Sequence, residues 1–288
     1  MFEQKPKFFK TKLVFIILLF VIVDGILWYQ ILKSSKFVEL YFLDVGQGDA
    51  TLINFPFSGR ILIDSGDGGK IEEALSKTSH YFNRSIDVWI LSHANLDHYG
   101  GFLKLIDENP PQIFIYNGFD NQTKSFEELL NKLKQKQIPI ITLAKGDKIK
   151  INDSQFYIVW PSQTTLLKDL NDLSLVLLFK NLNHSALFLG DVSKKILEQI
   201  KDFLSNEASI DILKVAHHGS KTSLNEEFFN LFRPKIALIG VGLNNQFGHP
   251  HQEVIDFLNK IGSEIFRTDI DHNIKIIFDN NLEIKKIF

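Results

Sequence analysis

The sequence predicts an α/β sandwich carried behind a membrane-spanning helix. Three observations point there. Apolar runs between residues 38 and 63 follow one another with only turn residues between them, as paired strands do. From residue 71 onward strand-like and helix-like runs alternate, a mixed pattern that fits a sandwich better than a uniformly wound βαβ chain. The third is a largely apolar run, Leu13 to Leu32, which at about 20 residues can cross a hydrocarbon core of about 30 Å.

The elements follow in order. Lys5, Lys7, Lys10 and Lys12 precede the apolar run, which holds a single charge, Asp24, and has Trp28 and Tyr29 near its far end. Aromatic residues favour the membrane interface, and lysines ahead of a span favour a cytoplasmic N-terminus. No small-residue cleavage pattern follows the run, so a removed signal peptide fits less well; the lysine lead-in argues against a buried core helix. The expectation is a single-pass protein of the cell membrane, with residues 1–36 as N-terminus, anchor and linker and residues 37–288 as an extracytoplasmic domain. In that domain strands are expected at Val38–Leu43, Ala50–Asn54, Arg60–Ile63, Val88–Leu91, Gln112–Tyr116, Gln155–Trp160, Ser174–Phe179, Ala186–Leu189, Asp211–Ala216 and Lys235–Gly240. Helices are expected at Ile71–Phe82, Tyr99–Asp107, Lys124–Gln137, Lys194–Leu204, Asn225–Leu231 and His251–Ile261, and the tail as two strands around Asp279-Asn280-Asn281.

Composition narrows the chemistry. A net charge of -2 gives no global field to collect nucleic acid, so any such contact is local. With no cysteine there is neither a disulfide nor a thiolate metal site. The 26 phenylalanines, in a chain 44% hydrophobic, read as core rather than as stacking surfaces for bases.

Polar groups collect where apolar strands end. Val88 to Leu91 runs into Ser92-His93-Ala94-Asn95-Leu96-Asp97-His98, two imidazoles and a carboxylate of the kind that bind zinc, manganese or iron. Asp64 ends Ile61 to Ile63 and either orients a ligand histidine through its second ring nitrogen or is a plain turn residue. Asp191 ends Leu187-Phe188-Leu189-Gly190, where a carboxylate can bridge two cations, although Gly-Asp is also a common turn. Leu213 to Ala216 ends in His217-His218-Gly219, and Ser220, Lys221 and Thr222 then open an expected helix, a reasonable phosphate site. Gly248-His249-Pro250-His251 follows another strand; His249 can point at a site, while His251 starts a helix. His80, His184 and His272 read as solvated.

This ordered set resembles the metallo-β-lactamase superfamily, whose signature is His-x-His-x-Asp-His. Leu43-Asp44-Val45-Gly46-Gln47-Gly48-Asp49-Ala50, the run from His217 to Ser223, Gly248 to His251 and Phe266-Arg267-Thr268-Asp269 are similar, more narrowly, to the β-lactamase-like domain of ComEC competence proteins. The likeness covers about Phe37 to Phe288, without that family's multi-span channel region. It implies an αββα four-layer sandwich with one or two divalent ions, zinc or manganese, at one edge, activating a water as hydroxide against a phosphodiester. Carried across, Asp97 and His98 hold one ion with His249 as third ligand, His93 holds the other, and Asp191 bridges; His217 or His218 is a ligand or protonates the leaving oxygen. Asn95 stands where the superfamily has its second histidine, and Asn171-Asp172-Leu173-Ser174 where it has a further one. The His93 side is therefore expected to bind weakly or not at all, with manganese preferred over zinc. The resemblance implies DNA as substrate and a separate DNA-channel protein as a partner. The alternatives are another metal-dependent esterase or lactonase on the same scaffold, or a tethered binding module whose metal site has decayed.

Overall fold

The computed structural model describes residues 7–33, 36–78, 85–205 and 210–288, with the side chains of 7–11, 27 and 30–33 outside the description. The chain forms two compact units, Met1–Lys36 and Phe37–Phe288. The first contains α1 (Lys7–Lys33), a proline-free run rich in Leu, Ile, Val and Phe. Its described apolar side chains face outward, Phe15 at 71% and Phe20 at 72% exposure. Among the described residues no helix is long and apolar enough to cross a membrane, and the expected span Leu13–Leu32 is described only in part.

In the second unit β1 (Val38–Phe42), β2 (Thr51–Phe55) and β3 (Gly59–Ile63) pair antiparallel in succession. Next come α2 (Ile71–Ser76), β4 (Val88–Ile90), α3 (Leu96–Leu105), β5 (Ile113–Tyr116), α4 (Lys124–Gln135) and β6 (Ile140–Thr142). Strands β3 to β6 are parallel. The second sheet starts antiparallel, with β7 (Lys148–Ile151), β8 (Ser154–Trp160), β9 (Val176–Asn181) and β10 (His184–Phe188). It turns parallel through α5 (Lys194–Leu204), β11 (Ile212–Lys214), α6 (Glu226–Phe232), β12 (Ile236–Ile239), α7 (Gln252–Lys260) and β13 (Glu264–Arg267). After the single turn α8 (Thr268–Asp271), β14 (Asn273–Phe278) pairs with β1 and β15 (Leu282–Ile287) with β14. The orders are β15-β14-β1-β2-β3-β4-β5-β6 and β13-β12-β11-β10-β9-β8-β7.

Alternation along each strand sorts the apolar residues into three layers. Leu40, Phe42, Ile61 and Ile90 meet Phe156, Leu177, Phe188 and Leu238 between the sheets. The other face of the first sheet, with Leu62, Trp89 and Phe114, packs on Phe102, Phe126 and Leu133 of α3 and α4. The outer face of the second, with Leu178, Leu187 and Leu213, packs on Ile196, Phe228 and Leu258 of α5, α6 and α7. The result is the expected α/β/β/α layering.

The differences from expectation are local. The helix after Ile71 ends at Ser76, and residues 79–84, with His80, lie outside the described residues. The helix expected from Tyr99 starts at Leu96, because Asn95 is extended and serves as its N-cap; Asp97 and His98 thereby enter its first turn. Lys221–Ser223 is only a three-residue 3-10 turn, so the helix N-terminus on which a phosphate site at Ser220, Lys221 and Thr222 depended is absent there. His184 is half-buried, its Nε2 2.9 Å from Asp279 O and its Nδ1 3.6 Å from Asp211, rather than solvated.

Candidate metal centre

Each sheet changes from antiparallel to parallel near its middle, and the polar loops follow the strands at that change, β3 and β4 in one sheet and β10, β11 and β12 in the other. The C-terminal ends of parallel strands, where the chain turns away and a crevice opens, are the usual ligand sites of such sheets.

Two histidines are aimed by their Nδ1 atoms. Asp64 Oδ2 lies 2.9 Å from His98 Nδ1, and Asp64 also accepts the Ser92 N–H and Oγ–H, each at 2.7 Å. An ionised carboxylate only accepts, so His98 Nδ1 carries a proton, and Nε2 points into the centre as the atom that can face an ion. His218 Nδ1 donates to Gly240 O at 2.8 Å, which frees its Nε2 in the same way. His217 (φ 51°) and His218 (φ 54°) are both left-handed, a backbone costing about 1–3 kcal/mol per residue and held where the surroundings over-determine it.

Both Nε2 atoms lie 3.4 Å from Asp191 Oδ2; Asp97 Oδ2 lies 3.3 Å from His218 Nε2 and 4.0 Å from His98 Nε2. Imidazole nitrogens and anionic oxygens at such distances need a positive charge between them, either a proton on each Nε2 or a metal ion that replaces it. His93 Nε2, His98 Nε2 and His218 Nε2 are buried without a hydrogen-bond partner, each an expense of about 1–3 kcal/mol unless something is bound there. Two imidazoles and two carboxylates converging this way fit a zinc, manganese or iron ion. Asp49, His98, Asp191 and His218 can also each offer one atom within 4.8 Å of the others. Asp49, however, faces the Nδ1 sides, 3.6 Å from His218 and 3.9 Å from His98, where both nitrogens are already engaged. Asp97, His98, Asp191 and His218 are therefore the better donor set. Only Asp97 has appreciable access to solvent, with its side chain 34% exposed against 0% for His98 and 3% for Asp191.

Electrostatics follows from this packing. Burial opposes charge on His98, yet Asp191, Asp64 and Asp97 outweigh it and hold its pKa well above the usual histidine value; Asp191 and Asp49 do the same for His218 against the same burial. Burial likewise opposes ionisation of Asp191, but His218, His98 and Lys214 pull it well below the carboxylate range. Burial and then the neighbouring His98 push His93 down to about 3.

The remaining expected residues divide. His93 lies against the quartet, its ring centroid 4.1 Å from that of His98 and its Nδ1 3.1 Å from Ser92 Oγ. His249, expected as third ligand, lies beside the quartet, its ring 6.3 Å from His218 and 5.7 Å from His217 and its Nδ1 buried without a hydrogen-bond partner, so it stays a candidate donor next to His218. Burial, then His218, lowers His249 to about 4. His217 is half-buried, its ring centroid 5.7 Å from that of His249 and 6.1 Å from that of His218. Asn95 Nδ2 donates to Asn171 Oδ1 at 2.6 Å, so the two residues standing where the superfamily has histidines bind each other. Ser220 Oγ accepts the Thr222 N–H, and Lys221 and Thr222 are exposed. Sequence reasoning missed Asp49 and Lys214. A lysine inside the apolar run Leu213-Lys214-Val215 was the available signal, since a strand buried on both faces must give such a charge a partner.

Asp64→Asn tests the aiming of His98. The amide keeps the shape but loses the anionic acceptor, and metal affinity is expected to fall by about 10–100-fold. Titration with the ion by calorimetry measures this; unchanged affinity would remove Asp64 from the centre.

Residues 43–242 match the metallo-beta-lactamase superfamily. The chain is 31% identical over 274 residues to ComE operon protein 3 of Bacillus subtilis, covering 88% of this chain and 34% of that protein. It is 31% identical over 268 residues to Recombination protein 2 of Haemophilus influenzae, covering 91% and 31%. It thus spans about a third of the length of these curated relatives. Among solved structures, CmlA, a diiron beta-hydroxylase from Streptomyces venezuelae, aligns with a TM-score of 0.56 at 10% identity, covering 88% of this chain and 55% of that one, a likeness of fold.

Proposed function

Given that this chain belongs to the metallo-β-lactamase superfamily, we propose that it is a membrane-anchored, metal-dependent hydrolase of phosphodiesters whose substrate is DNA outside the cytoplasmic membrane. The observation that carries the reading is the convergence of Asp97, His98, Asp191 and His218 on one point that opens to solvent on the Asp97 side. A bound divalent ion supplies Lewis acidity there, easing deprotonation of water and neutralising phosphoryl charge. The residues supply the rest. Asp64 and Gly240 O fix the two imidazoles, and the buried walls around His93 exclude bulk water. Burial lowers the pKa of half-buried His217 against the opposing pull of Asp191, making it a neutral base beside the centre that can hand on the proton it takes.

The choice of DNA rests on the similarity to ComE operon protein 3 and to a competence protein of Neisseria gonorrhoeae, 26% identical over 228 residues. A DNA-channel protein as partner is proposed on the same likeness to competence proteins. The anchor rests on the apolar run Leu13–Leu32 behind its lysines.

The test is cleavage of a labelled single-stranded oligonucleotide by the detergent-solubilised full chain with Mn²⁺ or Zn²⁺, against Asp97→Ala. Ion-dependent cleavage that the variant loses is expected. Equal cleavage by the variant, or turnover of lactones and not of phosphodiesters, would displace this reading in favour of another esterase.

A further inference from the structure

Strand β11 is buried between β10 and β12, yet it carries Lys214, whose side chain is 3% exposed. A buried ammonium is tolerated where all three of its donors find acceptors. Lys214 Nζ donates to Gly190 O at 2.9 Å, lies 3.4 Å from Asp191 Oδ1, and pairs with Asp49 Oδ2. The two oxygens of Asp191 are thus divided: Oδ1 faces the ammonium, Oδ2 faces His98 Nε2 and His218 Nε2. Asp49 reaches Lys214 from the loop after β1, in the other sheet. Its N–H donates to Asp97 O at 3.3 Å and its carbonyl accepts the Gly66 N–H at 2.9 Å. Gly48 (φ 128°) is needed beside it, because a Cβ there would run into Asp97 O. The segment from Leu43 to Ala50, to which the metal centre itself gives no role, is therefore shaped to deliver one carboxylate to one lysine.

We propose that Lys214 and Asp49 are a positioning pair that makes Asp191 a one-oxygen ligand. The ammonium holds Oδ1 and the Gly190 carbonyl, and Oδ2 alone is presented to the ion. Asp49 is the counter-ion of Lys214 rather than a ligand. The inference rests on the metal-centre reading and concerns how that centre is tuned.

The experiment is calorimetric titration of the full chain with Mn²⁺, for wild type, Lys214→Met, Asp49→Asn and the double variant, with His98→Ala as a ligand control. Each single variant is expected to bind Mn²⁺ about 10–100-fold more weakly, as when an outer partner of a ligand is lost. The double variant is expected to bind no more weakly than the weaker single, since the pair acts as a unit. Melting temperatures recorded in parallel identify a merely structural pair, which would lower stability and leave the affinity of the folded protein alone. Unchanged affinity in both single variants overturns the inference. So does a further tenfold loss when Asp49→Asn is added to Lys214→Met, the mark of a true ligand. If Lys214→Met fails to fold, the double variant, which removes both charges together, and Asp49→Asn carry the comparison. Wild type binding no better than His98→Ala would overturn the metal centre itself, and this inference with it.

Discussion

His218→Ala is expected to lose a bound divalent ion on gel filtration and, on the proposed function, to lose phosphodiester turnover by more than about 100-fold, while His217→Ala keeps the ion. The two neighbours differ in burial and contacts. His218 is fixed by Gly240 O and brings a buried Nε2 to 3.3 Å from Asp97 and 3.4 Å from Asp191; His217 is half-buried, its ring 5.7 Å from that of His249. Loss of an outer partner of a metal ligand costs about 10–100-fold, so loss of the ligand itself exceeds that. The alanine also removes the positive charge that offsets the buried Asp191 and Asp49 in the ion-free protein, so stability falls as well. Metal content by elemental analysis and turnover of the oligonucleotide read the two effects separately. Metal loss in His217→Ala with retention in His218→Ala would reverse the assignment.

Metal affinity is expected to climb steeply with pH. In the ion-free protein His98 and His218 hold protons above their ordinary pKa, and an incoming ion must displace both. Below those raised values affinity rises by up to about 100-fold per pH unit, tenfold for each proton released. The same shifts set stability. A histidine whose folded pKa exceeds its unfolded value of about 6.5 contributes stability that is fully present below that value and is lost as pH rises through the folded pKa. Asp191 and Asp49 are depressed instead, so their contribution holds above the unfolded carboxylate value and is lost as pH falls through their folded pKa. The chelated protein should therefore soften on the alkaline side, while the loaded protein should not, because the ion replaces both protons. Thermal unfolding from about pH 6 to 9, with and without chelator, measures this. Parallel curves would show that the two imidazoles are already neutral.

Much of this centre was readable in the chain because its residues follow apolar strands, where hydrophobic pattern gives place and polar break gives function. Asp64, His98 and Asp191 are of that kind. The helix Lys194–Leu204 was equally plain, since Ile196, Leu197, Ile200 and Leu204 fall on one face. Strands β6, β7 and β13 were not legible: β6 and β13 have three and four residues, and β7 alternates lysine and isoleucine at a partly exposed edge. Spacing offers His249 as third ligand and leaves His217 and His218 as alternatives. What brings His218 to the centre is the left-handed turn at His217-His218, a backbone property that sequence spacing does not carry. Lys214 was hidden for the opposite reason: a single charge in an apolar run looks like an exception until the partner strand is in view.

The reversal of strand direction within each sheet has a temporal consequence. Asp97 and His98 come from the first sheet, Asp191 and His218 from the second, and the last of these is made more than halfway along the chain. No contiguous fragment ending before β11 holds the complete donor set, and neither sheet alone brings the four side chains to one point. An ion held by these four side chains would thus be captured late in maturation, and its binding would require both halves to have docked in register.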